Sequence, residues 1–198
     1  MNYLAHAYLS FQQPPIVVGN MISDFIKGKK QYDYPLAIQK GIKLHRAIDN
    51  FTDTHAITKK AKQFFRPAVG PYCGAFLDIA YDHFLATDTN EFATPAKLAV
   101  FADFTYQVLE DNENILPERF TKMLPHMKQN NWLNNYQHNW GIQKSFANIA
   151  YKATYLTSGD ECFSLFEQHY ENLKQSYKLF FPELKLYSAQ YLETLHRL

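Results

Sequence analysis

The sequence predicts an all-α fold in a single compact multi-helix domain spanning residues 1–198. Three observations carry that expectation. Apolar residues recur at three- and four-residue steps through most of the chain. Only seven glycines occur, and no run of alternating Val, Ile and Thr is long enough for a strand. The nine prolines fall where helices would enter or break, with no Ser/Gly-rich linker, low-complexity tract or internal repeat between them.

Taken in order, the period places short helices near 2–10 and 16–27, the second following Pro14-Pro15. Longer helices follow near 35–52, entered at Pro35, near 55–66, ended by Pro67, and near 72–86, entered at Pro71. Pro95 and Pro117 open segments near 95–114 and 117–134, with Pro125 inside the latter, and a further helix falls near 139–155. Pro182 separates the last two, near 159–180 and 183–197. The best-specified start is Ser158-Gly159-Asp160-Glu161, an S-x-x-E capping box with acids in the first turn. Behind it Phe163, Phe166, Tyr170, Leu173 and Tyr177 form a helical stripe that reads as core. Trp132 and Trp140 read as core fillers.

Hydrophobic residues make up 46% and aromatics 16%, which excludes a disordered chain. The net charge of +1 gives no overall excess that would draw nucleic acid or an anionic membrane. The longest aliphatic run, Ile16-Val17-Val18, is far short of a bilayer span, and the opening Met1-Asn2-Tyr3-Leu4-Ala5-His6 has no signal-peptide pattern. Cys73 and Cys162 match no zinc spacing and make no disulfide framework, so a reducing cytoplasm is the expected setting.

Charge is segregated. Lys27 to Arg66 holds ten basic residues and three acids, a net +7, leaving −6 for the rest. Such a stretch is either a solvated helical face or a docking face for an anionic partner.

The same third holds candidate chemistry. His45 and Asp49 stand at i, i+4 on one helix face, with Asp53 four residues on. Asp78 and Asp82 repeat the spacing in Leu77-Asp78-Ile79-Ala80-Tyr81-Asp82-His83, among apolar neighbours. Asp24 and His6 each sit in apolar stretches, Gly19–Ile26 and Leu4–Leu9. A carboxylate in apolar surroundings loses its charge or needs a cation. Each residue alone is more often a hydrogen-bonded core group, or a salt-bridge partner of Arg46 or a neighbouring lysine, than a ligand. Taken together they suit Mn²⁺, Fe²⁺ or Mg²⁺ and metal-assisted hydrolysis, with the Arg46 guanidinium beside them to meet a phosphate. The pairs resemble an HD-type phosphohydrolase, although the adjacent His-Asp is absent. No G-x-G-x-x-G, P-loop, G-x-S-x-G or H-E-x-x-H occurs, and neither cysteine has a nearby histidine.

The segments M-N-x-L-A-H at the start, G-N-x-x-x-D-F at 19–25, G-I-x-L-H-R-x-I-D-x-x-T-D at 41–53 and L-D-I-x-Y-D-H-F at 77–84 resemble the acyl-carrier-protein phosphodiesterase family. The likeness runs end to end, tight over 1–85 and looser after, where Trp132-Leu133, Tyr136 and Phe180-Phe181-Pro182 continue it. The family's later Ser-Arg is replaced here by Tyr151-Lys152. The resemblance implies a distorted HD-like helical bundle. It implies hydrolysis of the phosphodiester between 4′-phosphopantetheine and a serine of holo acyl carrier protein, with Mn²⁺ as the usual metal. Acyl carrier protein is acidic, which the +7 stretch would complement.

On this reading Asp24, His45, Asp49, Asp78 and Asp82 hold the metal, with His6 or His83 as ligand or supporting partner. Arg46 offsets charge on the phosphoryl oxygens, and Asp53 or His55 assists proton transfer to the leaving oxygen. Lys27, Lys29, Lys30, Lys59, Lys60, Lys62 and Arg66 form the carrier-protein face. The rivals are a metal-dependent nucleotide phosphohydrolase with the same site, and a non-catalytic helical module that binds an acidic partner.

Overall fold

The computed structural model describes residues 1–152 and 159–197, and among these the chain is helical with no strand, as the periodicity predicts. Helix α1 (Tyr3–Tyr8) turns back into α2 (Pro14–Ile22), which passes through 3-10 turns at Ser23–Phe25 and Gly28–Asp33 into α3 (Leu36–Thr54). Short helices α4 (Ala56–Ala61) and α5 (Arg66–Val69) lead to the buried α6 (Cys73–Ala86). Then come α7 (Pro95–Asp111), α8 (Glu118–Gln129), the one-turn α9 (Trp132–Asn135), α10 (Asn139–Lys152), α11 (Asp160–Gln168) and the long α12 (Tyr170–Arg197). No helix among the described residues is long and apolar enough to cross a membrane.

The prolines sort by position. Pro14, Pro67, Pro71 and Pro95 occupy first turns, where a missing N–H costs nothing, and Pro35 and Pro117 are N-caps. Pro125 and Pro182 instead lie inside α8 and α12, so the expected break at Pro182 does not occur. A proline inside a helix costs about 3 kcal/mol, whereas burying Phe180, Phe181 and Leu184 around it returns roughly 1.5–3 kcal/mol each. The expected helix over 159–180 breaks at His169. Ser158 of the capping box lies outside the described residues, while Asp160 and Glu161 do occupy the first turn of α11. The expected helix over 117–134 ends at Gln129, because Asn131 adopts left-handed backbone (φ +40°) before α9.

Buried apolar side chains from α1 through α12 form one continuous cluster, including Phe166, Leu173 and Tyr177 of the predicted stripe. Trp140 departs from its reading as a core residue, being 54% exposed.

One crossing positions the site. Helices α2 and α3 meet at Gly19 and Gly41. A methyl at Gly19 would stand 2.1 Å from the Ile38 carbonyl oxygen, and one at Gly41 2.5 Å from that of Ile16. Only glycine permits this approach, which sets Asn20 of α2 against His45 of α3.

Candidate active site

Three side chains from two helices converge. His6 comes from α1, and His45 and Asp49 from adjacent turns of α3. His6 Nε2 lies 3.1 Å from Asp49 Oδ1, and His45 Nε2 lies 3.0 Å from Asp49 Oδ2. Asp24, on the turn that ends α2, brings Oδ1 to 3.1 Å from the same His45 nitrogen. Both imidazoles are buried, whereas Asp49 is partly open and Asp24 exposed to solvent.

Asn20 decides which imidazole nitrogen carries hydrogen. Its carbonyl oxygen faces His45 Nδ1 at 2.7 Å and can only accept, so Nδ1–H is the donor. Its side-chain amide donates to the His6 carbonyl at 2.8 Å and to Ser10 Oγ at 3.0 Å, which fixes its orientation. Asn20 Oδ1 therefore accepts from His6 Nδ1–H at 2.8 Å. When both rings are neutral, each Nε2 turns a lone pair toward a carboxylate oxygen about 3 Å away. Acceptor facing acceptor is unfavourable unless a proton or a metal cation lies among them.

The protein alone meets that need with one proton. Burial disfavours charge on both rings, but hydrogen bonds and attraction from Asp24 and Asp49 outweigh it at His45 and raise its pKa to about 9. Burial and the charge on His45 push His6 down to about 4. Burial acts to raise Asp49, yet the two histidines hold it far below the ordinary carboxylate range. The hydrogen bond from His45 lowers Asp24 as well. The donor set fits a divalent cation: one ligand atom each from His6, His45 and Asp49 lies within 4.8 Å of the others, with both Nδ1 atoms anchored behind.

The other candidates have partners of their own, and Asp78 is joined to the group through the Met1 ammonium, which lies 3.8 Å from Asp49 Oδ1. Asp78 pairs with the Met1 ammonium at 3.0 Å. The Met1 ammonium, though buried, is held protonated by Asp78, Asp49 and Asp82. Asp82 accepts the Leu4 N–H at 2.8 Å on Oδ2, and Asn2 and Ala5 N–H at 3.2 and 3.4 Å on Oδ1, so it caps α1 from α6. His83 lies against the Tyr136 carbonyl at 2.8 Å and the Tyr170 hydroxyl at 2.9 Å. Arg46 donates to Gln31 Oε1 and to the Ile26 carbonyl. Asp53 is bridged to Lys62 at 2.7 Å, and His55 Nδ1 accepts the Ile57 N–H at the start of α4. Lys27, Lys29, Lys30, Lys59, Lys60 and Arg66 are exposed, and Lys62 is half-buried. Tyr151 is exposed at the end of α10.

Asn20 was not singled out by its sequence, although it is a fully buried amide in an apolar helix directly after Gly19. Beside Asp24 and Asp78 opens a cavity of about 390 Å³, walled by α9, α10 and the start of α1. Trp132 and Trp140 line it, and Trp132 also packs against the core as expected.

The family model described as acyl carrier protein phosphodiesterase matches residues 1–184. Among curated relatives, an acyl carrier protein phosphodiesterase of Klebsiella pneumoniae (strain 342) is 30% identical, over 93% of this chain and 95% of its own. Those of Pectobacterium atrosepticum and Salmonella agona are 28% and 25% identical, covering 93% and 96% of this chain and 95% and 98% of their own. No solved structure matches.

Proposed function

Because the chain belongs to the acyl carrier protein phosphodiesterase family, we propose that it is a divalent-metal-dependent hydrolase of holo acyl carrier protein. It cleaves the phosphodiester between the carrier serine and 4′-phosphopantetheine, giving apo carrier protein and the free prosthetic group. The observation that carries the reading is the convergence of His6, His45 and Asp49 with both imidazole tautomers set by Asn20.

His6 Nε2, His45 Nε2 and the Asp49 carboxylate hold the metal, and Asp24, partnered to His45, completes its solvent side. Mixed imidazole and carboxylate donors suit Mn²⁺, with Fe²⁺ and Mg²⁺ as the other candidates. The bound cation supplies Lewis-acid activation of water and of the phosphoryl group. Arg46 follows His45 on α3 with an exposed guanidinium already aimed by Gln31 and the Ile26 carbonyl, and it meets a phosphoryl oxygen. Asp82 keeps α1, and with it His6, against α6. Asp53 and His55 take no part in the chemistry of this proposal, since one is bridged to Lys62 and the other caps α4.

Exposed lysines flank the site residues along the chain. Lys27, Lys29 and Lys30 follow Asp24, and Lys59 and Lys60 sit on α4 just beyond α3. They form the docking face for the acidic carrier. In this reading the enzyme is cytoplasmic.

The test is mass spectrometry of holo carrier protein incubated with the enzyme and Mn²⁺. Loss of the prosthetic-group mass, abolished by chelator and restored by metal, is the expected result. An unchanged carrier mass at full metal loading overturns the proposal.

A further inference from the structure

The cavity beside the site has a chemical character of its own. Asp24 belongs to both, so an occupant would begin within reach of the His45–Asp49 group. Asp78 also lines it, paired with the Met1 ammonium at 3.0 Å, and the remaining lining is of aromatic, aliphatic, amide and hydroxyl side chains with one further cation, Lys144.

Several polar side chains line it. Tyr136, 5% exposed, is one of them. Asn148, exposed on α10, is another, and Asn135 uses its Nδ2 on the Asn130 carbonyl while leaving Oδ1 open. Beside these groups Trp132 and Trp140 offer apolar faces.

We infer that this cavity receives the pantetheine arm of the substrate, an uncharged chain of two secondary amides, a hydroxyl and a branched dimethyl segment. The inference rests on the activity proposed above and adds the place where the substrate's arm is read. Amides along the arm need donors and acceptors on the wall, which Asn148, Asn135 and the Tyr136 hydroxyl provide. The dimethyl and methylene segments need apolar faces, which the two indoles provide. A volume of about 390 Å³ suits a ligand of this size. An acyl chain would strand these polar groups, so the site distinguishes the arm from a fatty acid.

The test uses the full chain and pantetheine, which carries the arm without the phosphate. Trp132 and Trp140 are the only tryptophans, so intrinsic fluorescence reads occupancy directly. A saturable change is expected, with Kd raised about fivefold in Tyr136→Phe and in Asn148→Leu, the worth of one lost hydrogen bond. Octanoate is expected to give no saturable change. Silence with pantetheine, wild-type affinity in the variants, or tighter binding of octanoate overturns the assignment. Cleavage of holo carrier protein is followed on the same samples. Pantetheine binding without cleavage sinks the proposed activity and leaves the cavity assigned, while cleavage without pantetheine binding does the reverse.

Discussion

His6 and His45 stack face to face, with ring centroids 3.9 Å apart and planes inclined by 14°. The rings come from α1 and α3 and share one neighbour, Asn20, which accepts a hydrogen bond from each Nδ1–H. Two stacked imidazoles cannot both carry charge at modest cost, and a cation shared between their Nε2 atoms removes the conflict.

Asn20→Ala removes the side-chain acceptor of His6 but keeps the backbone acceptor of His45. Metal affinity is expected to fall about 10–100-fold, the usual effect of losing a partner behind a ligand. Asn20→Asp keeps an acceptor at Oδ1 but sets its second carboxylate oxygen against the His6 carbonyl, so it is expected to recover only part of that loss. Titration calorimetry with Mn²⁺ reads both, and wild-type affinity in Asn20→Ala removes Asn20 from the site.

Metal uptake is expected to release a proton. His45 carries one below about 9 in the free site, and ligation requires its Nε2 lone pair. His6, lowered to about 4, carries none at neutral pH. Apparent affinity therefore rises roughly tenfold per pH unit toward pH 9 and levels above it. Calorimetry in buffers of different ionisation enthalpy counts the protons, and about one per metal at pH 7 is the expected number.

Asp82→Ala strips three N–H groups at the start of α1 of their acceptor, and a loss of about 1–3 kcal/mol in unfolding free energy is expected. Asp82→Asn retains one carbonyl oxygen and is expected to recover part of it. Denaturant titration reads the difference, and equal stability of all three proteins would deny Asp82 the capping role.

Charge reversal at Lys59 and Lys60 is expected to raise KM for the carrier protein more than it lowers kcat, and to flatten the dependence of kcat/KM on salt. Both residues are exposed on α4, so the fold is expected to persist. A salt dependence identical to wild type removes that face from the docking surface.

How much of this was legible beforehand depends on distance along the chain. His45 and Asp49 share a face because four residues make one helical turn, and the pattern says so directly. The alliance of His6 with Asn20 and Asp49 spans up to 43 residues and depends on how α1, α2 and α3 pack, which no local period encodes. The sequence marks Asp78 and Asp82 as acids in apolar surroundings that need a cation, and points to a metal; Asp82 is buried and Asp78 partly so. Their partners are the chain's amino group and backbone N–H groups of α1, none of which is a side chain that a motif could reveal. The helices were legible from spacing, whereas Pro182 was misread because the burial that overrides it belongs to the packed state.

The contact of Gly19 with Gly41 leaves no slack for adjustment. Two main chains touching without side chains between them cannot slide by repacking rotamers, so the separation of Asn20 from His45 is as stiff as the backbone itself. The grip on the cation is thus built by folding and waits ready-made. A single methyl at either glycine would wedge the helices open, and affinity for metal and resistance to heat would decline together.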